Sequence, residues 1–166
     1  MAHLQIIKGD ITKISADAIV NAANTELKGG GGVDGAIHQA AGITALNAAC
    51  AKLHGCPTGQ AKVTPAFQLA AKIIIHTPGP IWRGGDNQEA KLLAACYHNS
   101  LQKAQEYHCQ TVLFPSISTG VYGYPLHLAA PIAIHTIRSF PTDLSVQMVC
   151  LDEATYQAYL IADAAK

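Results

Sequence analysis

Four consecutive glycines, Gly29–Gly32, run into Val33-Asp34-Gly35-Ala36-Ile37-His38, a segment with helical spacing. Such a run lets a ligand touch bare backbone and aims N–H groups at an anion from a helix N-terminus. Each ordered glycine costs more entropy than alanine, so a packed protein keeps a run like this only where the gain is local. A flexible linker is the plainer reading. It fits poorly with the apolar brackets Ile19-Val20-Asn21-Ala22-Ala23 and Ala36-Ile37-His38-Gln39-Ala40-Ala41. Asp34 falls in the first helical turn, favourable to the helix dipole, and His38 one turn later shares its face.

Two further glycine-rich stretches, Thr77–Gly85 and Ser118–Gly123, follow apolar, β-branched segments. The amides of Ser118, Thr119, Gly120, Val121 and Tyr122 are suited to a nest around a diphosphate without positive side chains. The residues must supply such a site this way, because 11 basic residues balance 11 acidic ones and leave no net field. That balance, with 6% aromatics, argues against nucleic acid as the partner. Cys50 and Cys56 flank His54, but their spacing lacks a second Cys-x-x-Cys half, and we read them as buried thiols rather than metal ligands.

The elements that must position these loops alternate. Strands are expected at Leu4–Lys8, Ala18–Ala22, Val63–Leu69, Lys72–His76, Thr111–Pro115 and Ser145–Leu151. Helices are expected at Val33–Ala41, Thr44–Leu53, Asn87–Tyr107, Leu126–Phe140 and Glu153–Ala164, with Pro131 kinking the fourth or moving its start. Leu92, Leu93, Cys96, Leu101 and Ala104 offer a core face to the long helix. The order implies a sheet with helices on both faces, in which ligands bind at the carboxyl ends of strands. The 166 residues, 49% hydrophobic and 13% charged, suit one domain spanning 1–166. No apolar run is long enough to cross a bilayer, and the start carries no signal-type segment. Five cysteines, an odd number, point to a reducing cytoplasm.

Familiar glycine motifs fail. The match to G-x-G-x-x-G exists only because consecutive glycines fit loosely, and it lies after the second strand. No Gly-Lys-Ser/Thr closes a Walker loop, and no Ser-His-Asp set or Gly-x-Ser-x-Gly elbow suggests covalent catalysis.

Several blocks taken together do match. Gly9-Asp10-Ile11-Thr12, Asp17-Ala18-Ile19-Val20-Asn21-Ala22-Ala23-Asn24, Gly29–His38, His76-Thr77-Pro78-Gly79-Pro80-Ile81-Trp82 and Pro115–Pro125 resemble the macrodomain family in its MacroD-type branch. The resemblance covers essentially the whole chain in order. It implies a three-layer α/β/α sandwich with a mixed central sheet that binds ADP-ribose. In this branch it also implies hydrolysis of esters on the distal ribose: O-acetyl-ADP-ribose, mono-ADP-ribosylated acidic side chains, or both.

Residue by residue, the resemblance places Asp10 and the Ile11 amide at adenine, and Asn24 at the distal ribose. Asp34, ten positions after Asn24, matches the spacing of hydrolytic relatives. Asn24 and Asp34 are thus the expected catalytic pair, lying in a ligand loop rather than the core, with Asp34 orienting an attacking water or taking its proton. The substrate's diphosphate is a competing base. Ala22, Gly31, Gly32, Val33 and a supporting His38 complete the ligand set on this side, and Ser118–Tyr122 and Leu151 on the other.

Asn21 is read as structural, tying loops through its amide, and Trp82 as packing. Leu151 stands where relatives often carry an aromatic, and Pro78 where they usually carry valine. The plain glycine run replaces the cysteine- and histidine-bearing insertion of the zinc-dependent branch, so neither metal nor cofactor is expected. A rival from another class remains open: a reader that binds ADP-ribose and does no chemistry.

Overall fold

The computed structural model describes residues 2–165. In chain order it contains β1 (His3–Lys8), a 3-10 turn (Ile11–Lys13), β2 (Ala18–Ala23), α1 (Gly32–Ala41), α2 (Ile43–Ala51), β3 (Lys62–Pro65) and β4 (Ile73–Pro78). It continues with α3 (Glu89–Glu106), β5 (Thr111–Phe114), α4 (Leu126–Ser139), β6 (Ser145–Cys150) and α5 (Glu153–Ala164). The six strands form one mixed sheet in the order β1-β6-β5-β2-β4-β3. Only β3 runs antiparallel, against β4.

The apolar strands are buried for the reason their sequences suggest. Alternate residues of β2 serve opposite layers: Ala18 and Val20 join one core, Ile19 and Ala23 the other. The larger core gathers α3, α4 and α5 through Leu93, Tyr97, Leu101, Ala130, Ala133, Ile137 and Tyr159. The smaller one packs α1 and α2 through Ile37, Leu46 and Cys50 against Ile19, Ile74 and Leu113. The result is the expected α/β/α sandwich.

Two expectations need correction. β3 ends at Pro65 instead of continuing to Leu69. Residues 66–69 turn instead, with Phe67 at φ 53° and the Leu69 N–H donating to Ala66 O at 3.1 Å. Ala66 and Leu69 are apolar because the turn tucks them into the core, a signal that periodicity cannot tell from a strand. Pro131 does not move the start of α4, which begins at Leu126 and continues through Pro131 to Ser139. Burial of Ala129, Ala130, Ala133, Ile134 and Ile137 offsets the one backbone bond that proline cannot donate.

Candidate functional site

Parallel pairing brings the carboxyl ends of β1, β6, β5 and β2 to one edge of the sheet, side by side in that order. Asp10 follows β1, Leu151 follows β6, residues 116–124 follow β5, and Asn24 with the glycine run follows β2. Gly9 donates to Cys150 O at 2.9 Å, which sets the Asp10 turn beside Leu151. From β1 to β2 is three strand spacings, about 14 Å.

Asp10 caps the 3-10 turn. Its Oδ1 accepts from Thr12 N at 2.9 Å and Thr12 Oγ1 at 2.6 Å. The Thr12 hydroxyl first, then the Thr12 amide, hold the Asp10 carboxyl below the usual carboxylate range. Both contacts use Oδ1, so Oδ2 is the oxygen left over for another donor. The Ile11 side chain is in the smaller core, which leaves only its backbone for the edge.

The segment from β2 to α1 is the most tightly organised. Asn24 Nδ2 donates to Gly29 O at 2.9 Å, and Asn24 Oδ1 accepts from Lys28 N at 3.2 Å. A Cβ built on Gly30 would lie 3.5 Å from Asp34 Oδ2 and 3.8 Å from Asn24 Nδ2. The two side chains picked out by the resemblance therefore converge on the space beside Gly30.

Asp34 lies in the first turn of α1, as its position implied, but it belongs to the buried side rather than to a ligand loop outside the core. It is only 6% exposed, because the helix already starts at Gly32 and turns that face inward. Its Oδ1 accepts from Asn21 Nδ2 at 2.8 Å and stands 3.1 Å from His38 Nδ1, which is also 2.9 Å from Asp34 O.

His38 is only 5% exposed, and a Cβ at Gly29 would lie 3.4 Å from its ring. Its support therefore passes through Asp34 and the underside of the glycine run. Gly31 and Gly32 are exposed, while Ala22 and Val33 are half-buried. No protein acceptor among the described residues takes the N–H groups of Gly29–Val33.

The same holds for the N–H groups of Ser118–Tyr122, which form the second glycine loop. This loop closes on itself through Tyr124 N to Ser118 O at 2.9 Å and Gly123 N to Gly120 O at 3.0 Å. The Ser118 hydroxyl is buried, so the residue can meet a ligand only through its backbone. Val121 is 94% exposed and Leu151 73%, both projecting from the open side of the edge.

Sequence reasoning missed what holds these loops. Beneath the second loop, Tyr97 OH accepts from Ile117 N at 3.0 Å, and Tyr159 OH contacts Ser116 Oγ at 2.9 Å. Thr119 Oγ1 donates to the same Ser116 Oγ at 2.7 Å. Burial pushes the Tyr97 hydroxyl well up and that of Tyr159 to about 12, so both stay protonated.

Glu89, at the start of α3, accepts from the N–H groups of Arg83, Gly85 and Asn87 at 2.8, 3.0 and 2.6 Å. Burial alone would raise its pKa, but these amides outweigh it and hold the carboxyl at about 2. His76, in β4, contacts Asn21 Nδ2 at 3.1 Å and Thr64 Oγ1 at 2.9 Å. Burial first, then the nearby His38, depress its pKa to about 3. The usable signal was polarity within apolar strands and helices: Asn21, His76, Tyr97 and Tyr159 each interrupt a buried run.

Cys50 and Cys56 are buried and His54 is exposed, and no group of three or more potential metal ligands occurs among the described residues. No helix among those residues is long and apolar enough to cross a membrane.

The fold defines an α/β protein whose strand carboxyl ends carry two loops of unpartnered amides, the Asn24 side-chain amide and the carboxylates of Asp10 and Asp34. The Macro domain family model matches residues 20–133, and the chain belongs to that family. It is 57% identical over 99% of its length to a Macro domain-containing protein of Lactiplantibacillus plantarum, covering 98% of that protein. It is also 53% identical over 95% of its length to an O-acetyl-ADP-ribose deacetylase of Salmonella newport, covering 92% of it. The Oceanobacillus iheyensis macrodomain with ADP superposes with a TM-score of 0.92 at 45% identity, covering 97% of this chain and 90% of that one.

Proposed function

We propose that the protein binds ADP-ribose along this edge and hydrolyses acyl esters on its distal ribose. O-acetyl-ADP-ribose is the proposed small-molecule substrate, and mono-ADP-ribosylated aspartate and glutamate side chains the protein one. The carrying observation is the convergence of Asn24 Nδ2 and Asp34 Oδ2 beside Gly30. Support comes from the similarity to a protein named O-acetyl-ADP-ribose deacetylase and to a macrodomain holding ADP.

In this reading Asp10 Oδ2 and the Ile11 amide receive adenine at the β1 end, with Leu151 packing on the base. The free amides of Ser118–Tyr122 and Gly31–Val33 cradle the diphosphate in the middle. Asn24 holds the distal ribose at the β2 end. A water beside Asp34 Oδ2 attacks the ester carbonyl, the acyl–oxygen bond breaks, and the ribose oxygen leaves with a proton. Asp34 orients that water, and loop amides meet the charge that develops on the carbonyl oxygen.

The decisive experiment follows acetate release from O-acetyl-ADP-ribose and ADP-ribose release from a mono-ADP-ribosylated acidic protein, alongside calorimetric titration with ADP-ribose. Turnover that falls in Asp34→Ala and Asn24→Ala is the expected result. Binding of ADP-ribose with turnover of neither ester would make the protein a reader, and no binding at all would overturn the proposal.

A further inference from the structure

His76 is fully buried in β4, too far inside the sheet to meet a ligand, yet it is one link from the carboxylate at the site. The protons along this line can be placed. The Thr64 hydroxyl donates to Pro65 O at 3.1 Å, so its oxygen is left to accept from His76 Nε2–H at 2.9 Å. With that proton on Nε2, His76 Nδ1 carries a lone pair and accepts from Asn21 Nδ2 at 3.1 Å. The second N–H of the same amide then points at Asp34 Oδ1, 2.8 Å away. Cys50 Sγ, at 3.9 Å from Nε2, is a weaker contact than the Thr64 hydroxyl.

The amide of Asn21 can sit two ways round. Reversed, its oxygen would face the Asp34 carboxylate and its NH2 group would lose the His76 acceptor. Asn21 Oδ1 has no partner in the observed orientation, so nothing on that side holds the amide in place. The Asp34 carboxylate and the lone pair on His76 Nδ1 together select the orientation, and His76 is the acceptor that holds the second N–H. That acceptor exists only while the ring is neutral, which its burial favours, and protonated on Nε2, where the Thr64 oxygen is placed to accept.

We infer that His76, with Thr64 behind it, is a positioning residue for ester hydrolysis, setting the tautomer that orients Asn21 and so aims the Asp34 carboxylate at the attacking water. The inference rests on the role of Asp34 proposed above. It extends the functional unit from α1 across β2 and β4 to β3. Removing one neutral hydrogen bond from this line should lower kcat roughly three- to tenfold. ADP-ribose affinity should hardly change, because the adenine and diphosphate contacts lie elsewhere.

The test uses Thr64→Val, which removes the hydroxyl at nearly constant volume, and Thr64→Ser, which keeps it. Thr64→Val should lower kcat with little change in ADP-ribose Kd, and Thr64→Ser should restore the rate. In an Asp34→Ala background Thr64→Val should cost nothing further, since the line then ends on a missing carboxylate. The 15N chemical shifts of the His76 imidazole in the wild type should report a proton on Nε2 and none on Nδ1. A proton on Nδ1 would overturn the inference without any variant, as would full kcat in Thr64→Val or equal losses with valine and serine. Those outcomes leave a wild type that is active and an Asp34→Ala variant that is slow. An inactive wild type, or an unimpaired Asp34→Ala variant, would remove the proposed function and this inference with it.

Discussion

The Trp82 amide donates to Tyr122 O at 2.9 Å, and the Trp82 ring packs on Tyr124 with centroids 4.7 Å apart. The loop after β4 is thereby bolted to the loop after β5. The approach is close enough that a Cβ on Gly79 would collide with the Ser118 and Ile117 side chains. The amides proposed for the diphosphate are thus preorganised by a loop that makes no proposed ligand contact of its own.

Glu89 is the anchor of that supporting loop, since one carboxylate receives three of its N–H groups. Glu89→Gln keeps the shape but replaces charged acceptors with one neutral oxygen and a donor. Amide hydrogen exchange at residues 83–87 should accelerate, Tm should fall, and ADP-ribose should bind more weakly as the Tyr122 loop loosens. Unchanged exchange at these residues would show that the loop does not depend on the carboxylate.

Asp10→Ala should weaken ADP-ribose binding more than it slows turnover of bound substrate, because its contact would be the same in the ground and transition states. A hydrogen bond to a charged group is worth roughly 1.5–3 kcal/mol, about ten- to a hundredfold in affinity. The lost cap on the 3-10 turn adds about 1 kcal/mol of destabilisation. Calorimetry, steady-state kinetics and a melting curve separate the three. Intact affinity with a collapsed kcat would move Asp10 to the chemistry.

Asp34→Ala should cost stability as well as rate, whereas Asn24→Ala should cost mainly rate. Removing the carboxylate leaves one N–H of Asn21 Nδ2 short of a buried acceptor, worth about 1–3 kcal/mol, while His38 Nδ1 keeps the Asp34 backbone oxygen. Asn24 is half-buried and bonded only within its own loop. The double variant should lose less rate than the product of the single losses, because both side chains flank the same space. Denaturant unfolding and kinetics on all three variants check this, and fully multiplicative losses would separate the two residues.

Acid should destabilise the protein earlier than its carboxylates alone would predict. His76 has its folded pKa depressed to about 3 from an ordinary 6.5. Between those values the unfolded chain binds a proton that the folded one refuses, so stability is complete above the ordinary value and is lost as pH falls. The slope approaches about 1.4 kcal/mol per pH unit well inside the window. Urea midpoints between pH 4.5 and 6.5 should climb in the wild type and flatten in His76→Gln. An equal slope in both proteins would assign the effect to other groups.

Much of this was legible before any coordinates. Six strands and five helices follow from buried runs and helical spacing, and β2 announces itself as buried on both faces because it is almost entirely apolar. The two glycine loops stand out because bare backbone amides suit an anion, whereas Asp10, Asn24 and Asp34 are picked out by the resemblance of their motifs to the macrodomain family. The limits are equally specific. Apolar residues 66–69 look like strand, and Pro131 looks like a helix boundary. In both cases local pattern reports burial or propensity, while packing decides conformation.

What the amino-acid order determined by itself is the set of groups and the loops that carry them. Only the tertiary structure decided that Asp34 turns inward onto Asn21 and His38, that Tyr97 and Tyr159 hold up the second loop, and that Thr64 sits behind His76. Apart from Asp34–His38, one helical turn apart, these partners are 12 to 43 residues apart along the chain, as in Thr64–His76 and Ser116–Tyr159. Sequence pattern senses which face of an element is buried, but not which polar atom on a neighbouring element meets it there. That choice belongs to strand order and register, because a buried polar group must find its partner wherever the sheet happens to bring one.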